Sequence, residues 1–449
     1  MRCFMIHWKM VREILSLALP AVGEMTLYMM IWILDTMMVG KYGGKLAVSS
    51  VGLSTEIIYS FFNILIAIGI SSSLTSLISR ALGAEDFKKA ERIANAGFKL
   101  SFALAILFFV ILFFVPKQIL LLAGATEDML PFATEYAKIS AFSFFLLTFS
   151  STNNGMFRGA KDTKTSLYVA ALINIVNLSL DYVLIFGKFG FPEWGVRGAA
   201  IATVAGNGAG LLLQWTRLKK LPFHLHLFSA SKKEDFWEVI RLAVPSALQE
   251  ANFSLSKLLG ITFVMSLGTV AFAANQIGIA IEAVSFMPGW GIAIANTALV
   301  GHSIGAKNEK KAHDYTFYST AIASILMGMI ALVFFCFPEE LIRLFIQKEE
   351  IEVIAAGALC LQVGAIEQIP IAFAMVIESY FKGTGDAKTP FYVSFVMNWC
   401  IRVPLSWYLI YYLQYPIHVF WMITTLQWTL EGLVIYYLYH RHGKHIFLR

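Results

Sequence analysis

Long apolar runs follow one another along almost the whole chain, with only short polar stretches between them. They predict crossings at 13–38, 48–79, 94–115, 130–157, 165–187, 195–216, 238–265, 270–300, 315–337, 354–381, 390–412 and 416–440. Each run is at least the roughly 20 residues that a helix needs to traverse about 30 Å of hydrocarbon. The predicted fold is therefore all-α and integral to a membrane, with twelve transmembrane helices. Lys9, Arg12 and Glu13 lead directly into a run too long for a signal-peptide core, so the first helix is expected to stay in place.

Composition agrees with this pattern. Of 449 residues 58% are hydrophobic and 14% charged, against about 25% charged in a soluble domain, which leaves little room for one. Cys3, Cys336, Cys360 and Cys400 are scattered without paired spacing, so neither a disulfide framework nor a zinc site is readable.

The net charge of +6 lies in short clusters between apolar runs, a pattern that orients a membrane protein rather than one that binds nucleic acid. Alternate connections are basic: Arg80 to Arg92, Arg158 to Lys164, Arg217 to Lys233, Lys307 to Lys311, and Lys382 with Lys388. The intervening loop at 338–353 instead carries five glutamates. Both termini are predicted to be cytoplasmic, in the cell membrane.

An internal repeat separates matching residues by about 224 positions. Leu17-Ala18-Leu19-Pro20 recurs as Leu242-Ala243-Val244-Pro245, and Gly83-Ala84 with Lys88-Lys89-Ala90 recurs as Gly305-Ala306 with Lys310-Lys311-Ala312. Arg158-Gly159, Asp162, Lys164-Thr165, Tyr168-Val169 and Asn174 recur as Lys382-Gly383, Asp386, Lys388-Thr389, Tyr392-Val393 and Asn398. Six helices per half is an even number, so the halves are related by an axis along the membrane normal. The expected organisation is a six-helix lobe at 1–216, a cytoplasmic linker at 217–236 and a second six-helix lobe at 237–449.

Motifs for chemistry are weak. Gly383 to Thr389 resembles a phosphate-binding loop but lacks the second glycine before lysine and any preceding strand. It is expected to be a structural turn in which Arg158 or Lys382 meets helix carbonyls and lipid headgroups. Gly301-His302-Ser303-Ile304-Gly305 matches a nucleophile-elbow string, but it follows a helix and its repeat partner carries Ala81 in place of the serine. The chain is not expected to be an enzyme or to hold a cofactor.

Carboxylates within crossings are costly unless paired, neutralised or wet, and each is a functional candidate. Asp35 and Asp181 are the best placed, and Asn177 shares a helix face with Asp181, four residues on. Their oxygens suit a small hard cation such as Na⁺, and the carboxyls can equally take up protons. The plain alternative for both is a hydrated interfacial anchor near Lys41 or Lys188. The repeat puts Gly260 and Leu405 where these acids would recur, an asymmetry that favours function. In the second half Glu250 and Lys257 are candidates for the substrate or for a second acidic site, followed by Glu282, Glu367, Glu378 and Arg402. The many aromatic and Met side chains, Trp32 and Met25 among them, can line an adaptable pocket but mostly pack or face lipid.

Together these residues resemble the multidrug and toxic compound extrusion family of secondary transporters. The resemblance rests on Leu17 to Pro20, Asp35 with Val39-Gly40, Gly83-Ala84, Arg158-Gly159, and Gly195-Val196 running to Thr203. It implies two six-helix lobes that export small organic cations in exchange for H⁺ or Na⁺ by alternating access. By position, Asp35, Asn177, Asp181 and Thr203 are similar to the family's first-lobe cation site, and Pro20 to a helix-bending proline. Glu250 is similar to its second-lobe acid. A tenth-crossing Asp expected near Ile371 is absent, with Glu367 and Glu378 the nearest acids, so coupling is expected through the first lobe. A monomer among membrane lipids is expected. The rival reading, a lipid-linked precursor flippase, needs a more cationic cleft to hold a pyrophosphate.

Overall fold

The computed structural model describes residues 8–62, 69–122, 127–128, 130–225, 231–346 and 350–446. Among these there is no strand, and the chain runs through α1 (Trp8–Phe62), α2 (Ser71–Gly83), α3 (Phe87–Phe114), α4 (Pro116–Leu122), α5 (Leu130–Gly159), α6 (Thr163–Ile185) and α7 (Val196–Leu218). It continues as α8 (Lys233–Met265), α9 (Thr269–Gly305), α10 (Glu309–Cys336), α11 (Pro338–Arg343), α12 (Ile351–Thr384), α13 (Lys388–Val396), α14 (Val403–Ser406) and α15 (Ile417–Ile446). Two π-helical stretches, Met397–Arg402 and Trp407–Tyr412, flank α14.

Among the described residues, eight segments are long and apolar enough to cross a membrane by themselves. The predicted crossings at 130–157, 238–265 and 416–440 reach that length but carry more polar residues, and the one at 48–79 includes residues 63–68, which lie outside the described part. In α5, for example, Thr148, Ser150, Thr152, Asn153 and Asn154 are all buried, so polarity there is turned inward and away from lipid. The protein is a multi-pass, all-α membrane protein of twelve helices in two six-helix repeats.

The first two predicted crossings are continuous helix as far as Phe62, where a connection was expected near 39–47. Residues 63–68 lie outside the described part. Two short helices, α4 and α11, were not predicted. Each starts on a proline, Pro116 and Pro338, whose fixed φ suits a first helical position.

Two compact units emerge: Gly23–Ala247, and Met1–Val22 with Leu248–Arg449. The division therefore falls inside α1 and α8 and not in the connection at 217–236. Side-chain contacts account for it. Within the Gly23–Ala247 unit, the start of α8 is tied to α3 by Lys89 with Glu238 at 3.1 Å and Arg92 with Asp235 at 3.4 Å. Within the other unit, Ile14, Leu17 and Ala18 of α1 pack against Ile292, Leu299 and Tyr315, and Tyr315 donates to Glu13 at 2.6 Å. Pro20 and Pro245 each lie within three residues of the point where their helix passes from one unit to the other.

The repeat is structural as well as sequential. Asp162 accepts from Thr165 N at 3.0 Å, and Asp386 accepts from Thr389 N at 3.1 Å, so both copies of the Asp-x-Lys-Thr motif close a helix start. Asp86 and Asn308 cap α3 and α10 in the same way. Small residues let helix backbones meet. A Cβ on Gly155 would stand 2.6 Å from the Ser71 carbonyl oxygen, and one on Gly383 would stand 2.9 Å from that of Thr297.

Arg158 differs from expectation. It does not reach toward headgroups but donates to Glu24 at 2.7 Å, inside its own unit and with Glu24 fully buried. Asn154 in the next turn inward also donates to Glu24, at 3.2 Å.

Candidate functional site

The Gly23–Ala247 unit gathers its candidate site residues from α1, α6 and α7, the acids coming from α1 and α6. Asp181 and Asn177 project from one face of α6, as their spacing requires, and both are buried. The close approach of α7 places Thr203 beside them. It depends on glycine: a Cβ on Gly206 would lie 3.1 Å from the Ile173 carbonyl oxygen and 3.2 Å from Asn177 Cβ, and one on Gly198 would lie 2.7 Å from the Leu184 carbonyl.

Asp35 of α1 completes the group, its carboxyl within hydrogen-bonding reach of Asp181. Asn177 satisfies its neighbours best with Nδ2 donating to Asp181 Oδ2 at 3.0 Å and its oxygen accepting from Thr203 N at 3.3 Å. Thr203 Oγ1 donates to the Ala199 carbonyl at 2.9 Å and keeps lone pairs free. Asp35 Oδ1 and Asp181 Oδ1 are buried without a donor.

Two carboxylates in contact repel, so this arrangement calls for a positive charge. Chemically, the site can hold one proton between the acids. Alternatively, with the Asn177 amide turned about so that its oxygen faces Asp181, the oxygens of Asp35, Asp181, Asn177 and Thr203 form an all-oxygen set of the kind a hard cation takes.

The remaining predicted residues fall in the other unit, apart from this group. Pro20 lies within α1. Glu250 on α8 feels the charges of Lys382, Lys257 and Glu378. Glu367 accepts from Thr424 at 3.0 Å and Thr425 at 3.3 Å, and it hydrogen-bonds Glu282, which also accepts from Gln368 at 3.4 Å. Arg402, in a π-helical stretch, stands with its guanidinium 5.7 Å from the Phe253 ring and 6.0 Å from that of Phe420. Its charge is felt by Glu367, Glu282 and Glu431. Glu24 and Glu431 are two further buried acids, outside the set that the sequence predicts. Both lie inside predicted crossings, so the same rule that singled out Asp35 applies to them.

Paired helical repeats with acids buried inside them are the construction of a secondary transporter. Comparison with known proteins agrees. The description of the MatE family matches residues 20–183 and again 245–408, and the chain belongs to this family, the multidrug and toxic compound extrusion transporters. It is 33% identical over 416 residues to a probable multidrug resistance protein NorM of Thermotoga maritima, covering 90% of this chain and 86% of that one. It is 25% identical over 435 residues to the uncharacterized transporter YisQ of Bacillus subtilis, covering 94% and 93%. Among solved structures, an outward-facing multidrug resistance MATE family transporter shares the fold with a TM-score of 0.89 at 20% identity, over 97% of this chain and 96% of that one. A further relative in fold is a transporter of the same superfamily from Pyrococcus furiosus, with a TM-score of 0.88 at 21% identity over 97% and 96%. The protein is thus a membrane transporter of a multidrug efflux family and not an enzyme, in a family driven by ion gradients rather than by a bound cofactor.

Proposed function

We propose that this chain expels cationic, amphipathic organic compounds across the cytoplasmic membrane in exchange for H⁺ or Na⁺, with both termini in the cytoplasm. The observation that carries this reading is the meeting of Asp35 with Asp181, Asn177 and Thr203 inside one unit. Each inward positive charge supplies about 2.3 kcal/mol per 100 mV of membrane potential.

Coupling requires that ion and drug favour different states of the transporter, and their difference in affinity is the coupling free energy. An empty pair of acids repels. An occupied pair is held together and draws Asn177 and Thr203 with it. Because Asp35 belongs to α1 and its partners to α6 and α7, occupancy changes the force between α1 and the other two helices. Pro20, further along α1, is the place where that helix yields, since proline lacks a backbone donor. In the other unit Glu250 and Glu367 are assigned to the positive charge of the substrate, with Lys257 moderating Glu250. The protein works as a monomer among membrane lipids, without a nucleic-acid partner.

Dye efflux from liposomes containing the purified protein, under separate Na⁺ and pH gradients, tests the reading and identifies the ion. Asp181→Asn is expected to insert normally and to lose gradient-driven export. Undiminished export by that variant would overturn the assignment.

A further inference from the structure

One side-chain cluster recurs in both units with related residues and a different charge. In the Gly23–Ala247 unit, Glu24 accepts from Asn154 at 3.2 Å and Arg158 at 2.7 Å, and Asn154 Oδ1 accepts from Gln214 at 2.9 Å. The repeat aligns Glu24 with Gln249, four residues beyond Pro20 and Pro245, and it aligns Asn154 and Arg158 with Glu378 and Lys382. In the second unit Gln249 donates to Glu378 at 2.8 Å. Glu378 in turn hydrogen-bonds Glu431, which lies on α15, the last helix of its repeat, as Gln214 lies on α7.

An amide-to-amide contact in one unit is thus a carboxyl-to-carboxyl contact in the other. Two amides hydrogen-bond unaided, because each has donors and acceptors. Two carboxylates have acceptors only, and their contact needs a proton.

We infer that Glu378 and Glu431 form a second proton-binding site, holding one exchangeable proton, in the unit that lacks counterparts of Asp35 and Asp181. The amide side chains around the pair support it. Gln427, fully buried, reaches into the cluster with Nε2 on Glu431, and its Oε1 has no donor. Gln249 Oε1 is likewise buried without one. Both amide oxygens are acceptors beside the two acids, so a water that carries the proton to or from the pair finds hydrogen-bond partners there.

The surrounding charges allow the proton to leave. Lys382 on α12 acts on Glu378 and Arg402 on Glu431, while from α8 Glu250 feels Glu378 and is itself faced by Lys257. Glu282 of α9 is engaged with Glu367, and His313 of α10 lies between Tyr439 at 2.6 Å and Tyr380 at 3.4 Å. When the proton passes to water, both glutamates are ionised between Lys382 and Arg402, whose Nε is buried without an acceptor.

The test uses full-length protein carrying Asp35→Asn and Asp181→Asn, so that the first site contributes nothing. pH-difference infrared spectroscopy in membranes reads the carbonyl stretch of protonated carboxylic acids. One such band is expected to disappear in Glu431→Gln and in Glu378→Asn, variants that supply the residues this chain already carries at the matching places. Proton release on a pH jump is expected to fall by about one per protein in each, whereas Glu282→Gln leaves that band in place. Persistence of the band in either folded variant, or its loss when Na⁺ is added at constant pH, overturns the inference. Export by the Asp35→Asn, Asp181→Asn background bears on the proposed function alone, so the two readings fail separately.

Discussion

Arg158 Nη2 donates to Glu24 Oε1 at 2.7 Å, joining α5 to α1 through a pair in which Glu24 has no solvent exposure and Arg158 very little. Removing one partner leaves an uncompensated buried charge. Arg158→Met is expected to cost about 3–5 kcal/mol, read as a lowered thermal midpoint in detergent. The double variant Glu24→Gln with Arg158→Met is expected to recover a large part of that loss, and an additive loss would show that the two do not interact.

Gly206 sets the distance between α6 and α7 at the proposed cation site. Gly206→Leu forces the helices apart at Ile173 and Asn177, at an overpacking cost of about 1–3 kcal/mol. The protein is expected to reach the membrane in reduced amount and to export poorly per molecule. Normal specific export would mean that Thr203 is not needed beside Asn177.

Thr203 separates the two ions. Its hydroxyl supplies an oxygen that Na⁺ can use and that a proton shared by Asp35 and Asp181 does not need. If Na⁺ is the coupling ion, Thr203→Val is expected to weaken its apparent affinity by up to about tenfold, the size of one hydrogen-bond-scale contact. If H⁺ is, the dependence of efflux on the pH gradient is expected to stay as it was. Titrating efflux against each gradient gives the answer.

The caps at Asp162 and Asp386 are equivalent in the two repeats. Asp162→Ala and Asp386→Ala are each expected to lower stability by about 1 kcal/mol, and together by about the sum, since the caps belong to different units. Thermal shift measurements on the two single variants and the double variant check this.

Much of the candidate site was legible along the chain. Asn177 and Asp181 share a face by spacing alone, and Asp35 stands out because an acid in a crossing is costly. That Asp35 meets Asp181 is a different kind of fact. It depends on how α1 packs against α6, and hydrophobic periodicity does not encode which polar groups meet across helices. The same limit explains the reading of Arg158 as a headgroup contact. Its cluster looked like an ordinary cytoplasmic turn, and Glu24, more than one hundred residues away in sequence, was its partner.

Local chemistry by itself determined that this chain is a twelve-helix membrane protein in two repeats, because span length, charge at helix ends and recurrence at a fixed interval are properties of neighbouring residues. Packing alone decided where the two units divide, which acids touch, and that one amide pair is matched by a carboxyl pair in the other repeat. Those outcomes depend on distances between helices far apart in sequence. Such distances are set by the small residues that let backbones approach and by the need of each buried polar group for a partner.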